Sequence, residues 1–350
     1  MNRLQKLVAQ SLTALAALML AFHPNGFAAS QSPDGSLKRF ESSIPAMGVQ
    51  FRFVVYVRDE ADAIAAFQLA SEKVAALENI FSDYKSTSEA MQLVQGATNQ
   101  AAPVSSDLWT LMRTSQQFCQ QTDGAFDITV GPVTHLWRLA RKRHRLPDEA
   151  ELRTALSAVG GDGFKMIEPS SVVIKNDNMR LDFGGIAKGY VADECLAVFR
   201  KRGIESALID ASGDIALGAP PPGEIGWIVA VEDLDHADQV VRKLRLSNCG
   251  VATSSDARQS LEQNGVRHSH IVDPRTGQAV TLRCSVTVVA DNATTADAWA
   301  TALSVLGPKR GIELAETHRN IQSLIVAKVD SSKPAKFFET RGFRASVVAQ

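Results

Sequence analysis

Two oxygen-bearing side chains share one face of an alanine-rich segment in the C-terminal third of the chain. The segment TTADAWATAL covers residues 294–303, and Asp297 and Thr301 lie four positions apart in it. Residues at that spacing are neighbours on a helix surface. Asp297 carries the only charge of the segment, so the pair is a candidate for binding chemistry rather than for packing.

A second candidate is the stretch LDFGGIAKGYVAD at 181–193. It is typical of a strand that ends in an acid, followed by two glycines and by Lys188 at the start of a helix. Glycines allow a close approach of backbone to a ligand, and a helix N-terminus with a lysine favours phosphate. The stretch is neither a P-loop nor a GxGxxG fingerprint. A plain strand-to-helix turn with an exposed lysine explains it equally well, and both interpretations remain open.

Two further loops combine an acid with glycine and proline: GAFDITVGP at 124–132 and SHIVDPRTGQ at 269–278. The DPRTG portion alone suits an ordinary β-turn, and His270 alone is more often structural than catalytic. The occurrence of three glycine-rich acidic loops in one chain, together with Asp297 and Thr301, favours a functional site.

Strands and helices are intermixed along the chain, which predicts an α+β fold in one globular unit and leaves open a division into two intimately packed subdomains. Alternating and β-branched segments predict strands, and helical spacing predicts helices. The predicted strands include 49–57, 172–175, 179–184, 205–211, 214–218, 227–233, 285–291 and 321–329. The predicted helices include 61–81, 106–121, 147–159 with Pro147 in the first turn, 186–203, the opening segment and 308–318.

Charge excludes nucleic acid as the main partner. The 350 residues contain 37 Lys and Arg against 38 Asp and Glu, a formal net charge of −1. The basic run RLARKRHR at 138–145 is interpreted as a solvated face. The four cysteines form no CxxC pair, which argues against a structural zinc site.

The first 28 residues are typical of a secretory signal peptide. Arg3 and Lys6 precede the apolar run LTALAALMLAF, and small residues suit cleavage after Ala28. A polar lead-in at 29–43 follows, and folding is predicted to start at Ile44. Because no cysteine precedes Cys119, a lipoprotein anchor is excluded, and we expect a periplasmic protein.

Four segments, taken in order, resemble the signature blocks of the ApbE family, the FAD:protein FMN transferases. They are SDYKSTSE at 82–89, GAFDITVGP, LDFGGIAKGYVAD with the ASGDI that follows it, and HIVDPRTG followed by SVTVVADNATTADAWATAL. Each block alone is modest, whereas the ordered set is specific. The resemblance implies a flavinyltransferase domain at 44–335 and a C-terminal tail at 336–350.

Members of this family bind FAD and Mg²⁺ and transfer FMN from FAD onto a threonine or serine hydroxyl of a target protein, releasing AMP. The resemblance implies a magnesium site formed by Asp297, Thr301 and the Gly185 carbonyl, with Lys188 on the phosphates. It also implies catalytic roles for Asp297, Lys188 and His270, with His270 or Asp182 as the base. Its implied FAD-lining positions, besides Lys188, are Met47, Tyr84, Ala125, Phe126, Asp127, Asp182 and Ile271.

The chain departs from the family pattern in three places: Val49 after Met47-Gly48, Ser212 before Gly213, and TSSDA at 253–257. The implied partner is an exported or membrane-associated acceptor protein. Two alternatives remain. With water as acceptor the same site gives a Mg²⁺-dependent FAD pyrophosphatase, and without catalysis the protein is an exported flavin-binding protein.

Overall fold

A computed structural model describes residues 36–96, 98–236, 239–255, 260–330 and 333–348 of the chain. The signal peptide and the first part of the lead-in therefore lie outside the described residues. In the described part, no helix is both long enough and apolar enough to cross a membrane.

Strands and helices alternate irregularly along the chain, in agreement with the α+β prediction. The strands are β1 (Lys38–Ala46), β2 (Val49–Val57), β3 (Ala101–Pro103), β4 (Phe164–Ile167), β5 (Ser171–Ile174), β6 (Ala207–Ala211), β7 (Asp214–Leu217), β8 (Trp227–Glu232), β9 (Val240–Leu246), β10 (Cys249–Ser255), β11 (Ser260–Gln263), β12 (Val266–Ser269), β13 (Arg283–Ala290), β14 (Gln322–Lys328) and β15 (Lys336–Glu339). The helices are α1 (Glu60–Phe81), α2 (Glu89–Gln95), α3 (Ser106–Gln121), α4 (Gly131–Arg143), α5 (Glu149–Leu156), α6 (Ala187–Lys201), α7 (Ala293–Glu316) and α8 (Arg341–Ala345).

The main sheet has the strand order β1-β2-β6-β7-β10-β13-β14-β15 among the described residues, and each neighbouring pair is antiparallel. Successive side chains of a strand point to opposite faces of the sheet, so each strand can contribute to a core on either side. Both faces of the main sheet carry such a core. In β2, Phe51 and Phe53 enter the larger core with α1, α6 and α7, whereas Val54 enters a second core with the β8–β9 hairpin and Phe343.

A third, smaller core lies outside the main sheet. It joins α4 and α5 to the segment after β12 through Val133, Trp137, Leu152 and Val272. The Trp137 indole N–H donates to the Gly277 carbonyl at 2.9 Å. This core therefore holds the DPRTG loop against α4.

The structure corrects both predicted domain boundaries. β1 begins at Lys38, inside the segment predicted to be a polar lead-in, because its alternating residues pair along the whole of β2. The predicted tail at 336–350 supplies β15, which pairs with β14 at the edge of the main sheet, and α8. Both terminal segments complete the sheet rather than flanking it.

Two local predictions also differ from the structure. Residues 179–184 form no ladder; the Asp182 N–H instead donates to the Ile128 carbonyl at 2.7 Å. Helix α5 begins after an Asp148 cap rather than at Pro147. Asn292 caps α7, and the backbone of Gly307 (φ 71°, ψ 179°) is not helical, so the part of α7 that begins at Pro308 is a second helical segment, as the sequence predicts. The other predicted elements are present within a few residues of their expected bounds.

Candidate active site

The first turn of α7 is fixed against α6. The Asp193 carboxylate on α6 accepts hydrogen bonds from the N–H groups of Ala293 (2.9 Å) and Thr294 (2.8 Å), which a helix start leaves unpaired. The two helices cross so closely that a side chain at Gly189 would overlap the Ala293 backbone. Asp193 and Gly189 thereby set the height and rotation of α7, and with them the position of its next turn.

That next turn carries Asp297, which is 2% exposed, and one turn later Thr301. Asp297 accepts a hydrogen bond from the Gly189 N–H at 3.1 Å. A Cβ built on Gly185 would lie 2.7 Å from Thr301 Oγ1, so the Gly185 backbone and the Thr301 hydroxyl are in close contact. The three positions implied as metal ligands therefore lie where α7 meets the glycine turn before α6.

Lys188 lies between two buried carboxylates. Its Nζ pairs closely with Asp214 and lies 3.8 Å from Asp297 Oδ2; the exposed fractions of these side chains are 26%, 5% and 3%. Burial raises the pKa of Asp297 to about 7, and the charge of Asp214 adds to the rise while Lys188 opposes it. Burial lowers the Lys188 pKa, but the two carboxylates outweigh burial and raise it. One lysine is thus shared by two carboxylates, so the negative charge of the group can exceed its positive charge and favour binding of a further cation.

The helix N-terminus is less open than the sequence suggests. The Ala187 N–H donates to the Phe183 carbonyl at 2.8 Å, and the Gly189 N–H donates to Asp297. These first-turn groups are already bonded, so attraction for a phosphate depends more on the Lys188 ammonium than on the backbone of α6.

Asp182 is held in place by donors on two sides. Its Oδ2 accepts from the Thr134 hydroxyl at 2.7 Å and from Arg138 Nη2 at 2.9 Å, and its Oδ1 accepts from the Gly184 N–H at 2.8 Å. Because these donors occupy the carboxylate, Asp182 is better suited to hold the 182–185 turn than to take up a proton. The contacts also show that Arg138, in the run predicted to be a solvated face, belongs to the site.

Tyr84 lies beside Arg138, and the residue is 79% exposed. The Arg138 guanidinium lies over its ring, 4.8 Å from the centroid, and also pairs closely with Asp83. Met47 is half-buried in the β1–β2 turn, and its N–H donates to Glu78 Oε1 at 2.9 Å. Tyr84 thus offers an open aromatic face, as the stacking role implied for it requires.

Side chains of the 125–127 run make contacts inside the protein. Ala125 and Phe126 are buried, and Phe126 packs edge-on against Phe118. The Asp127 carboxylate accepts from the Thr129 N–H and hydroxyl at 2.8 and 2.7 Å. The FAD-lining role implied for Ala125, Phe126 and Asp127 stays a prediction.

His270 and Ile271 are half-buried directly after β12. Contacts tie this segment to the 124–132 loop, since a Cβ on Gly124 would lie 3.5 Å from the Arg275 side chain. The catalytic role implied for His270 stays a prediction.

The three departures from the family pattern lie in different surroundings. Ser212 adopts φ 59°, a left-handed conformation that favours glycine. Val49 is the first residue of β2 and continues the hairpin. In TSSDA, Thr253 hydrogen-bonds Thr287 at 3.0 Å, whereas Asp256 and Ala257 lie outside the described residues.

The donor set at Asp297, Thr301 and Gly185 fits magnesium. Carboxylate, hydroxyl and carbonyl are the hard oxygen ligands that Mg²⁺ prefers, and Mg²⁺ usually keeps several waters and shares substrate phosphates. In the described ranges no cluster of three or more His, Cys, Asp or Glu side chains could enclose a metal by itself. A cation here must therefore depend on main-chain and hydroxyl oxygens, and the surplus of carboxylate charge would favour it.

Fold and site together define an α+β protein with an oxygen-donor site beside a half-buried lysine. The family profile described as "ApbE family" matches residues 47–325, and the chain belongs to this family. The chain is 30% identical over 326 residues to "FAD:protein FMN transferase" of Vibrio cholerae, covering 91% of this chain and 94% of that protein. The Escherichia coli K12 protein of that name is 29% identical, covering 73% and 75%.

Solved structures show the same fold. "Flavin Transferase ApbE from Vibrio cholerae" superposes with a TM-score of 0.80 at 28% identity, covering 89% of this chain and 99% of that chain. The ApbE protein from Thermotoga maritima gives a TM-score of 0.80 at 27% identity, covering 89% and 100%. These likenesses confirm the family and the fold class expected from the ordered sequence blocks.

Sequence reasoning missed three residues of the site. Asp214, the partner of Lys188, was visible only as the acid of ASGDI, and Asp193 only as the last residue of LDFGGIAKGYVAD. Arg138 was masked by the basic run around it. The one local signal in the sequence is an acid that follows a glycine at the start of a predicted strand, and it indicates Asp214 as a candidate site residue.

Proposed function

We propose that this protein transfers the FMN half of FAD onto a hydroxyl group of a partner protein and releases AMP. The observation that carries the proposal is the juxtaposition of Asp297, Thr301 and Gly185 with the Lys188–Asp214 pair in a member of the ApbE family. The names of its relatives, FAD:protein FMN transferases, support the same reaction.

In the proposed reaction the acceptor oxygen forms a bond to the FMN phosphorus, and the bond from that phosphorus to the bridging oxygen breaks. AMP leaves with the electron pair, and the hydroxyl proton passes to a base. His270 is the better candidate for that base, because the lone pairs of Asp182 are occupied by Thr134, Arg138 and Gly184.

Asp297, Thr301 and the Gly185 carbonyl would hold Mg²⁺, which when bound supplies Lewis-acid stabilisation of charge on the pyrophosphate. Lys188 adds a fixed positive charge beside the same phosphates, and Asp214 orients its ammonium. Tyr84 would supply an aromatic face for a ring of FAD, and Met47 would supply apolar surface, as the family resemblance implies. The acceptor residue in the proposal is threonine or serine.

We further propose that residues 1–28 direct export and that the mature protein acts in the periplasm on an exported or membrane-associated acceptor. The basic n-region, apolar run and small-residue cleavage site support this location.

One experiment separates the candidate activities. The purified mature protein is incubated with FAD and Mg²⁺, with and without a threonine-bearing acceptor domain, and AMP, free FMN and covalently bound flavin are measured. AMP with flavin on the acceptor supports transfer, whereas AMP with free FMN in both samples supports hydrolysis. FAD binding without either product would contradict both enzymatic activities.

Asp297→Asn tests the metal assignment in the same assay, with Asp162→Asn as the matched control because Asp162 is exposed and lies in a separate turn. We expect Asp297→Asn to lower turnover by at least about 100-fold while FAD binding changes only a few-fold. Equal turnover in the two variants would remove Asp297 from the metal site.

A further inference from the structure

Helix α4 is amphipathic, and only one of its faces is explained by packing. Val133, Trp137 and Ala140 are buried in the third core. The other face carries basic side chains at positions 135, 138, 141 and 142, a spacing that places neighbours on one helix surface. With Arg180 they form what we call the α4 cationic face: His135, Arg138, Arg141, Lys142 and Arg180.

Arg180 reaches this face from a different segment. A Cβ on Gly131 would lie 2.5 Å from the Arg180 carbonyl oxygen, so the 180 segment runs directly along the start of α4. Burial lowers the pKa of His135, and the charges of Arg180, Arg138 and Lys142 lower it further. Those basic groups are therefore near enough to one another to repel a further proton.

Most of this positive charge has no internal partner. Arg138 pairs with Asp83 and Asp182, but in the part of the chain that the structure describes the side chains of Arg141, Lys142 and Arg180 form no ion pair. Burial, and then the charge of Arg138, lowers the pKa of Arg141. A cation that is partly buried and uncompensated is costly unless an anion joins it.

The helix dipole accounts for only part of the pattern. Basic residues in the last turn of a helix interact favourably with its C-terminal end, and Arg141, Lys142 and Arg143 lie there. His135 lies in the first half of α4 and Arg180 lies on another segment, so the dipole does not explain why they join the same face.

The α4 cationic face adjoins the candidate active site. Arg138 contacts both the Tyr84 ring and the Asp182 carboxylate. Asp182 in turn fixes the Gly184 N–H, one residue before the contact of Gly185 with Thr301. A protein that brings a hydroxyl to this site must therefore cover a rim whose α4 side is positively charged.

We propose that the α4 cationic face is a docking surface for an acidic segment of the acceptor protein. The proposal rests on the proposed function, because that function supplies a macromolecular acceptor. Charge complementarity of this kind mainly sets the encounter rate, the register and the choice of partner. The acceptor thereby brings the carboxylates that the face lacks.

The test uses the full mature protein and two fluorescein-labelled peptides. One carries a single threonine flanked by aspartates and glutamates, and its counterpart carries asparagine and glutamine instead. Fluorescence anisotropy measures binding at low and at physiological salt. The variants are Lys142→Glu and Arg180→Glu. Lys201→Glu is the matched control, since Lys201, like Lys142, is an exposed lysine in the last turn of a helix.

We expect the acidic peptide to bind at least about tenfold more tightly than its amide counterpart at low salt, with the difference shrinking as salt screens it. Lys142→Glu and Arg180→Glu should each weaken that binding by about three- to tenfold, and Lys201→Glu should leave it unchanged. At a saturating concentration of the acceptor domain, release of AMP from FAD should stay at the wild-type rate in all three variants.

Several results would overturn the proposal. Equal binding of the two peptides would show that the α4 cationic face is an ordinary solvated helix surface. The same conclusion would follow if Lys201→Glu weakened binding of the acidic peptide as much as Lys142→Glu does. A loss of AMP affinity in Lys142→Glu that matches the loss of peptide affinity would assign the face to the nucleotide. Binding to phosphatidylglycerol vesicles that depends on Lys142, without discrimination between peptides, would assign it to a membrane.

The two proposals fail in different ways. If no acceptor domain becomes flavinylated but the peptide results hold, the docking surface stands and the proposed activity fails. If flavin is transferred with an unchanged KM for the acceptor in Lys142→Glu, the activity stands and the docking surface fails.

Discussion

Gly185→Ala is the most direct perturbation of the candidate metal site, because it adds one methyl group and removes no ligand. The added Cβ would lie 2.7 Å from Thr301 Oγ1 and 3.1 Å from Thr301 Cγ2, whereas ordinary contacts begin near 3.4 Å. The turn and α7 must therefore separate by about 0.7 Å, or Thr301 must rotate away. Either movement displaces one of the oxygen donors.

Mg²⁺ tolerates such a displacement poorly, since it demands near-ideal octahedral geometry at about 2.0–2.1 Å. Loss of a supporting contact around a metal site typically costs about 10- to 100-fold in affinity or activity. We expect the Mg²⁺ concentration for half-maximal turnover to rise by about that factor, with part of the activity recovered at high Mg²⁺.

The assay titrates Mg²⁺ into chelator-treated protein and follows AMP release, with thermal unfolding in parallel. Gly161→Ala is the matched control, because a Cβ there would meet no atom within 4 Å and its φ lies outside the left-handed region. An unchanged Mg²⁺ requirement in a folded Gly185→Ala protein would refute the assignment of Gly185 and Thr301 to one site.

Three further predictions concern stability and are checked by urea or thermal unfolding. Gly189→Ala should destabilise by about 3 kcal/mol or more, because its Cβ would overlap backbone of α7 that cannot rotate away; a loss below about 1 kcal/mol would show that the helices can separate. Ser212→Gly should stabilise by up to about 1 kcal/mol, because relief of a left-handed φ of 59° exceeds the entropic cost of glycine; a lower Tm would contradict this. Glu78→Gln should cost about 0.5–1 kcal/mol at pH 7. The hydrogen bond from Lys85 lowers the Glu78 pKa below its usual value near 4.5, so this contribution is present above that pH and is lost as the pH falls through the lower, folded-state value. A difference between the two proteins that does not shrink as the pH is lowered would argue against the ion pair.

Much of the secondary structure could be predicted because it depends on local periodicity. The strand at 49–57 and the helix at 106–121 have the expected bounds, since their apolar spacing and the Ser105 cap are written within a few residues. The strand predicted at 179–184 is absent from the structure. Its residues favour an extended backbone, but distant parts of the chain decide whether an extended segment has a strand to pair with.

The same distinction applies to the ends of the domain. Residues 36–43 are mostly polar, which suggests a tether. Most of them belong instead to β1, a strand at the edge of the sheet, where many side chains are exposed and need not be apolar. β15 has only four residues and lies at the opposite edge. Edge strands have weak sequence signals because only one neighbour and part of one face constrain them.

The amino-acid sequence by itself determined the ordered motifs that place the chain in its family, and the four-residue spacing that puts Asp297 and Thr301 on one face of α7. Tertiary structure alone decided which groups meet that face. The pairing of Lys188 with Asp214, the capping of α7 by Asp193 and the link from Arg138 to Asp182 join residues 26, 100 and 44 positions apart. Helical spacing is a property of a few consecutive residues, whereas the partner of a buried charge depends on how whole helices and strands pack, and no local pattern encodes that.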